Sequence, residues 1–186
     1  MSSNYPVSRR LLAAGFGAAL ACGLAFGTEP DSSAKSAQPT VAFVCAHGSI
    51  KSLMAAERFN RLAAQRGLAV RAISRATNEK TVDSKIPDPI VRAMTQEGYQ
   101  VADVKPQVLT REEASDAARV VHISLEGPVD FVKDPNAASA SDRAVERWNG
   151  IPSGLTQYDA TRRMIAARVD ALIDEFAKKQ ASVATK

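Results

Sequence analysis

Three residues that can carry out chemistry stand close together in the chain: Cys45, Lys51 and Ser52, spaced as C-x5-K-S. A thiolate is a strong nucleophile, and a neighbouring cation and hydroxyl favour its charged form. The same cation attracts the negative oxygens of a bound anion. The spacing therefore predicts a site that holds a tetrahedral oxyanion next to a reactive sulfur.

The residues around this trio predict a strand, a tight loop and the start of a helix. Thr40 to Val44 form an apolar, β-branched run that is typical of a buried strand and ends at Cys45. Apolar residues at helical spacing from Ile50 to Arg66 predict a helix, which Gly67 closes. Loop N–H groups and the positive end of the helix dipole would converge on an anion. We therefore predict that the anion is bound by Ala46, His47, Gly48, Ser49, Ile50 and Lys51.

Strand and helix patterns alternate along the rest of the chain. Thr110 and Glu113 have the spacing of a capping box, which marks the start of a helix. This alternation predicts an α/β fold with a parallel, doubly wound sheet, in which ligands bind at the carboxyl ends of strands. Cys45 lies at such an end. The further elements that we predict are strands at Ala69–Ser74 and Ala118–Leu125 and helices at Pro87–Glu97 and Thr156–Lys179.

The whole pattern resembles the low-molecular-weight protein tyrosine phosphatase superfamily, which includes the thioredoxin-coupled arsenate reductases. Its members carry C-x5-R-S directly after the first strand, and a Met-Ala-Glu type sequence often begins the next helix. Here Cys45, Ser52 and residues 54–57 (Met-Ala-Ala-Glu) fit, and the resemblance extends over residues 40 to 177. It implies a three-layer sandwich around a four-stranded parallel sheet of the phosphatase type I kind. It also implies that Trp148 lies in a closing loop before the final helix.

In that superfamily the counterpart of Cys45 attacks phosphorus and forms a phosphocysteine, while an arginine clamps two oxygens of the phosphoryl group. The resemblance therefore implies catalytic roles for Cys45, Lys51 and Ser52, with Ser52 donating to the thiolate. Lys51 replaces the arginine, so the positive charge remains but the planar fork that matches two oxygens is lost. Gly48 stands where the family usually has asparagine, which keeps the shape of the loop and removes a side-chain brace.

The general acid is a second departure from the family, which carries an Asp-Pro pair in a loop just before the last helix. Residues 148–154 read Trp-Asn-Gly-Ile-Pro-Ser-Gly, so Ser153 or a neighbour stands at this place. A serine hydroxyl does not supply a proton at neutral pH as a carboxylic acid does. Farther upstream, Asp134 precedes a proline. It is either a candidate for the general acid or an ordinary aspartate in a solvated turn. The Asp88-Pro89 pair instead resembles the family's Asn-Pro turn.

These residues leave three functions open. The first is a cysteine-dependent phosphate-monoester hydrolase, slowed by Lys51 and the missing acid, for which activated aryl phosphates are the best substrates. The second is an arsenate reductase. Its thioredoxin-coupled mechanism passes a disulfide through further cysteines, and none follows Cys45, so only a single-cysteine version with an external thiol reductant remains. The third is an oxyanion-binding or interaction module in which catalysis has decayed.

The first residues predict export. Arg9 and Arg10 form a twin-arginine pattern, and the apolar run from residue 11 to 26 is short for a membrane span. Small residues before position 28 fit cleavage after Gly27, which predicts a periplasmic or extracellular protein. Cys22 offers the alternative of a lipoprotein anchor. We accordingly divide the chain into a signal peptide (1–27), a flexible linker (28–39), a phosphatase-like domain (40–180) and a disordered tail (181–186).

Charge and cysteine content narrow the expected partners. The chain has 24 basic and 20 acidic residues, and removing the signal peptide leaves 22 basic residues against the same 20 acidic ones. This near balance does not favour nucleic acid, and contact with a membrane is expected only during export. With Cys45 as the single cysteine after the signal, no internal disulfide forms, and the two histidines predict neither a metal site nor a cofactor. The expected partners are phosphate, arsenate or a phosphorylated substrate.

Overall fold

The computed structural model describes residues 38–125 and 145–184. The predicted signal peptide, Cys22, nearly all of the linker and the candidate acid Asp134 lie outside the described residues. Within the described part, no helix is long and apolar enough to cross a membrane. In chain order the elements are β1 (Thr40–Cys45), α1 (Lys51–Gln65), β2 (Arg71–Ala76), α2 (Asp88–Gln96), α3 (Arg111–Asp116), β3 (Arg119–Ile123), β4 (Glu146–Trp148) and α4 (Tyr158–Ala184).

The four strands form one parallel sheet in the order β2-β1-β3-β4. Side chains of β1 alternate between two cores: Val41 and Phe43 pack with α1, α2 and α4, whereas Ala42 and Val44 pack on the side of α3. Burial on both faces explains why this strand reads as a continuous apolar run. The predicted three-layer α/β sandwich is confirmed. Because β1 lies between β2 and β3, its last residue, Cys45, is flanked by the ends of both neighbours.

Aromatic side chains join the layers on the larger side of the sheet. The ring of Phe43 on β1 lies 5.9 Å from that of Phe59 on α1 and 5.4 Å from that of Trp148 on β4, measured between centroids. Phe59 in turn meets Phe176 on α4 edge to face at 5.7 Å. Such pairs add stabilisation beyond the apolar area that they bury. One aromatic cluster therefore ties the strand that ends in Cys45 to both long helices.

The structure corrects three predicted element boundaries. Trp148 ends the short strand β4 and is not part of a closing loop; three residues are too few to show a strand pattern in the sequence. β2 begins at Arg71, two residues later than predicted, because the N–H of Ala69 bonds to the side chain of Gln180. β3 ends at Ile123 because Ser124 turns into the left-handed region with a φ of +50°.

The C-terminal prediction is also wrong for residues 181–184, which continue α4 and do not form a disordered tail. Gln180 anchors this end of the helix. Its side chain accepts a hydrogen bond from the N–H of Ala69 at 3.0 Å and donates one to the carbonyl of Gly67 at 3.3 Å. These two bonds hold α4 against the turn between α1 and β2, so the helix extends beyond the predicted domain end at residue 180.

Both predicted helix signals are confirmed. Gly67 follows the end of α1 with a φ of +62°, and Thr110 and Glu113 form the reciprocal hydrogen bonds of a capping box at the start of α3. Glu113 also pairs with the guanidinium of Arg75 on β2, with the Arg75 Nε donating at 2.8 Å. This partner lowers the pKa of the Glu113 carboxyl. A single glutamate thus caps α3 and attaches it to the strand next to Cys45.

His122 is a buried polar residue on β3, with 1% of its surface exposed. Neither of its ring nitrogens has a hydrogen-bond partner among the described residues. Burial, and then the positive charge of Arg147 on β4, lowers the pKa of His122 from 6.5 to about 4. The imidazole is therefore neutral in the folded protein at pH 7.

We predict that acid weakens the fold through this histidine. The unfolded chain takes up the proton near pH 6.5 and the folded protein only near pH 4. The free energy of unfolding therefore has its full value above pH 6.5 and decreases as the pH falls towards 4. The loss should reach about 2 kcal/mol at pH 5. Urea unfolding of the wild type and of His122→Leu at pH 7 and pH 5 measures this difference. An equal loss of stability in both proteins would contradict the prediction.

Candidate active site

The thiol of Cys45 sits at the carboxyl edge of the sheet, where β1 meets the loop to α1. The residue is 5% exposed. Its sulfur accepts a hydrogen bond from the N–H of Gly48 at 3.3 Å and lies 3.1 Å from the hydroxyl of Ser52, which is buried in the first turn of α1. The N–H of Gly48 and the hydroxyl of Ser52 thus hold the sulfur at the base of the anion loop. This is a position from which a thiol can act as a nucleophile on a bound anion.

The loop after Cys45 rests on the last residue of β2. Gly48 has a φ of +72°, a left-handed conformation that glycine adopts without strain. A Cβ atom on Gly48 would lie 2.9 Å from the backbone nitrogen of Ala76 and 3.1 Å from its Cβ. No side chain fits at this close contact, so the asparagine of the family pattern has no room here. Ala76 is fixed on its other side, where it bonds to Gln107 at 2.7 Å and to Leu109 at 3.0 Å.

A polar loop after β2, residues 77–83, braces the anion loop from the outside. Thr81 Oγ1 donates to the carbonyl of Ala46 at 2.7 Å, and the N–H of Asp83 donates to the carbonyl of His47 at 3.1 Å. The carboxylate of Asp83 accepts a hydrogen bond from the hydroxyl of Ser49. This brace is not among the features predicted from the sequence. Its one signal there is the polar segment after β2, because loops that follow neighbouring parallel strands meet at one edge of the sheet.

His47 lies at the rim of the site, and 60% of its side chain is exposed. Its Nδ1 is 2.8 Å from the carbonyl oxygen of Thr81 and 3.4 Å from a carboxylate oxygen of Asp83. A carbonyl oxygen can only accept, so Nδ1 carries a proton. In the neutral ring the lone pair is therefore on Nε2.

Lys51 extends across the site to the segment before α4. Its ammonium donates to the carbonyl of Ile151 at 2.9 Å, and the same carbonyl accepts a hydrogen bond from Ser124 Oγ at 2.9 Å. Burial lowers the pKa of Lys51, and the negative charge of Cys45 opposes this shift in part. Ser124, with its positive φ, stores strain of about 1 kcal/mol, and such residues cluster at functional sites. Neither Ser124 nor Ile151 belongs to a sequence pattern that would mark it as a site residue.

These elements surround a cavity of about 250 Å³. Ser153 and Gly154 lie on its far wall, at the place where the family carries its acid, and no aspartate or glutamate of the described residues lines it. A Cβ atom on Gly154 would lie 2.4 Å from Ile50 Cγ2, so the wall packs closely on the loop. The described part of the chain contains no group of three or more His, Cys, Asp and Glu side chains that could hold a metal.

The structure brings most of the predicted site residues together. The cavity is lined on the loop side by Cys45, Ala46, His47, Ile50 and Lys51, and on the other side by Ile123, Ser124, Ser153 and Gly154. Gly48 and Ser49 do not line it, because the N–H of Gly48 is directed at the sulfur and the hydroxyl of Ser49 at Asp83. Ser52 is buried beside the sulfur, at the base of the site.

Comparison with solved structures shows the same fold in phosphatases and arsenate reductases. A low molecular weight phosphotyrosine phosphatase from Vibrio cholerae O395 superposes with a TM-score of 0.62 and 18% identity, covering 76% of this chain and 98% of that one. The arginine phosphatase YwlE superposes with a TM-score of 0.62 and 16% identity, covering 75% of this chain and 96% of that one. A thioredoxin-dependent arsenate reductase from Corynebacterium glutamicum superposes with a TM-score of 0.58 and 18% identity, covering 78% of this chain and 65% of that one.

The sequence itself matches one family model, that of the low molecular weight phosphotyrosine protein phosphatases, over residues 40–127. No significant match was found among curated proteins. The matched segment contains β1, the anion loop and α1, together with α2, α3 and the strands on either side of β1. The resemblance that the sequence indicates is therefore confirmed: residues 40–127 match the low molecular weight phosphotyrosine protein phosphatase family, and the chain has the fold of the solved phosphatases that it superposes on.

Proposed function

We propose that this protein is a cysteine-dependent phosphate-monoester hydrolase that works through a phosphocysteine on Cys45. One observation carries the proposal. The sulfur of Cys45 accepts a hydrogen bond from the N–H of Gly48, lies 3.1 Å from the hydroxyl of Ser52, and lines a cavity of about 250 Å³ beside the first turn of α1. Such a site combines an activated nucleophile with a loop and a helix N-terminus that favour a tetrahedral anion.

The reaction has two steps. In the first, the Cys45 thiolate attacks phosphorus, a sulfur–phosphorus bond forms, and the bond to the leaving oxygen breaks. In the second, water attacks phosphorus, phosphate departs, and the thiolate is regenerated. Loop N–H groups and the ammonium of Lys51 would balance the charge on the phosphoryl oxygens in both steps.

Two features predict that turnover is attenuated. Lys51 offers a single ammonium where the family has a forked guanidinium, and this ammonium is already bonded to the carbonyl of Ile151. In addition, no carboxylic acid among the described residues lines the cavity to protonate the leaving oxygen. Substrates whose leaving groups need little protonation should therefore react best, which favours activated aryl phosphates.

The test is hydrolysis of 4-nitrophenyl phosphate under reducing conditions by the purified wild type and by Cys45→Ser. We expect turnover in the wild type and a loss of about 10³-fold or more in the variant, because serine is a far weaker nucleophile at neutral pH. Equal rates in the two proteins would show that the hydrolysis does not use Cys45 and would overturn the proposal.

The hydrogen bond between Lys51 and Ile151 also favours a second candidate, an oxyanion-binding module without turnover. The ammonium of Lys51 is fixed by a backbone carbonyl, where it can attract an anion but does not clamp two phosphoryl oxygens as a guanidinium does. The two candidates differ in one pair of measurements. A module should bind phosphate or arsenate, seen as protection of Cys45 from alkylation by iodoacetamide, while hydrolysing no aryl phosphate. A phosphatase should show both the protection and the turnover.

We further propose that the protein acts outside the cytoplasm, on the basis of the twin arginines at Arg9 and Arg10 and the apolar run that follows them. Cell fractionation of the wild type and of a variant with both arginines replaced by lysine tests this. Export of the wild type alone would support the proposal, whereas retention of both proteins in the cytoplasm would contradict it.

A further inference from the structure

No carboxylic acid of the described residues lines the cavity, but a histidine does. We propose that His47 is the general acid and base of this site and that Asp83 orients it; this inference rests on the proposed function. His47 lines the cavity beside Cys45, and its exposed position at the rim is where the leaving group of an ester held by the loop would lie.

The ring of His47 is held from one side. Its Nδ1 donates to the carbonyl of Thr81 at 2.8 Å and lies 3.4 Å from Asp83 Oδ1. Asp83 is itself fixed twice, by the hydroxyl of Ser49 on its carboxylate and by its own N–H on the carbonyl of His47 at 3.1 Å. A carboxylate and a carbonyl beside Nδ1 set the tautomer and the orientation of the ring. Nε2 is therefore the nitrogen that exchanges protons with a bound ester.

The other polar side chains around the cavity are committed to different tasks. Cys45 is the nucleophile, and the ammonium of Lys51 bonds to the carbonyl of Ile151 and carries the positive charge of the site. The hydroxyl of Ser124 donates to that same carbonyl, and Ser153 has a hydroxyl that stays protonated at neutral pH. Imidazole is the group in this set that both gives and accepts a proton near neutral pH.

The proton balance closes over the two steps. When the sulfur–phosphorus bond forms and the bond to the leaving oxygen breaks, that oxygen takes the proton from Nε2 of the protonated ring and departs as the alcohol. When water then attacks phosphorus, the neutral Nε2 takes a proton from the water and the electron pair of the breaking sulfur–phosphorus bond returns to Cys45. Asp83 lies 3.4 Å from Nδ1 and keeps Nε2 as the nitrogen that exchanges the proton in both steps.

The test compares two esters that differ in their need for an acid. The leaving group of 2,4-dinitrophenyl phosphate departs without protonation, whereas that of phenyl phosphate requires it. We expect His47→Gln to lower kcat on phenyl phosphate by about 10²-fold and to change kcat on the dinitrophenyl ester by less than about threefold. Asp83→Asn should lower kcat on phenyl phosphate by a smaller factor, with the same selectivity, because the ring remains and loses only its charged partner.

Thr81→Val serves as the matched structural control. It removes the hydrogen bond from Thr81 Oγ1 to the carbonyl of Ala46 and leaves the contacts of the Asp83 carboxylate in place, so any loss of activity should be equal for both esters. An equal loss on both esters in His47→Gln, as in this control, would assign His47 a purely structural role and overturn the inference while the phosphatase stands. Absence of Cys45-dependent turnover of the dinitrophenyl ester by the wild type would overturn the proposed function itself.

Discussion

Replacing Lys51 by arginine should raise the kcat/KM of aryl phosphate hydrolysis by about 10²- to 10³-fold. The substitution restores a planar pair of donors that can hold two phosphoryl oxygens at once. Lys51 begins α1 and lines the cavity of about 250 Å³, so a guanidinium at this position would face the space in which the anion is expected to bind. The gain should appear mainly in kcat, because the fork matches the transition state better than the ground state.

The pH profile gives an independent check on this residue. Because burial lowers the pKa of Lys51, its ammonium is lost at a lower pH than that of an exposed lysine, and activity should fall as the pH rises through that range. Arginine stays charged, so the alkaline fall should disappear in Lys51→Arg. Lys51→Met is the matched control, in which activity should drop without a new titration. A Lys51→Arg protein no faster than the wild type would instead indicate a site built around the lysine.

Gly48→Ala should damage both the fold and the site. The new Cβ would lie 2.9 Å from the backbone nitrogen of Ala76, at a φ of +72° that L-residues avoid. We expect a loss of about 1–3 kcal/mol in the free energy of unfolding. The loop must also move away from β2, which displaces the N–H that bonds the Cys45 sulfur, and a displacement of this kind lowers kcat by about 10²-fold.

Gly67→Ala is the control that separates the effect of the positive φ from the effect of the close contact with Ala76. Gly67 has a similar φ of +62°, but a Cβ there meets nothing within 4 Å, and the residue lies away from the site. It should therefore lose only about 1 kcal/mol of stability and keep full activity. Urea unfolding and 4-nitrophenyl phosphate hydrolysis of both variants provide the comparison. If Gly48→Ala behaves like Gly67→Ala in both measurements, the close contact with Ala76 is not what makes glycine necessary.

The sequence predicted the central part of the fold because that part rests on strong local patterns. β1 reads as an apolar run that stops at a cysteine, α1 follows at helical spacing, and the capping box at Thr110 marks α3. These local patterns are enough to place Cys45, Lys51 and Ser52 at one edge of the sheet. Two of the elements that the resemblance supplied, a four-stranded parallel sheet and helices on both faces, are also present.

The remaining features depend on contacts between residues far apart in the chain. Asp83 accepts a hydrogen bond from Ser49, which lies 34 positions earlier in the chain. The carbonyl of Ile151 accepts one from Lys51, which lies 100 positions earlier. Neither contact has a local signature, because an aspartate in a polar loop and an isoleucine carbonyl look ordinary in sequence. β4 was missed for a related reason: its three residues pair with β3 and carry no period of their own.

The position of Ala76 has a consequence for how quickly an anion can enter the site. Ala76 pairs with Cys45 in the sheet, bridges to His47, and bonds on its other side to Gln107 and Leu109. Amides enclosed in this way open only when a large part of the structure unfolds. A loop supported by such a residue is already formed before the ligand arrives. Association should then be limited by diffusion through the cavity mouth, and differences in affinity between anions should reside in their dissociation rates.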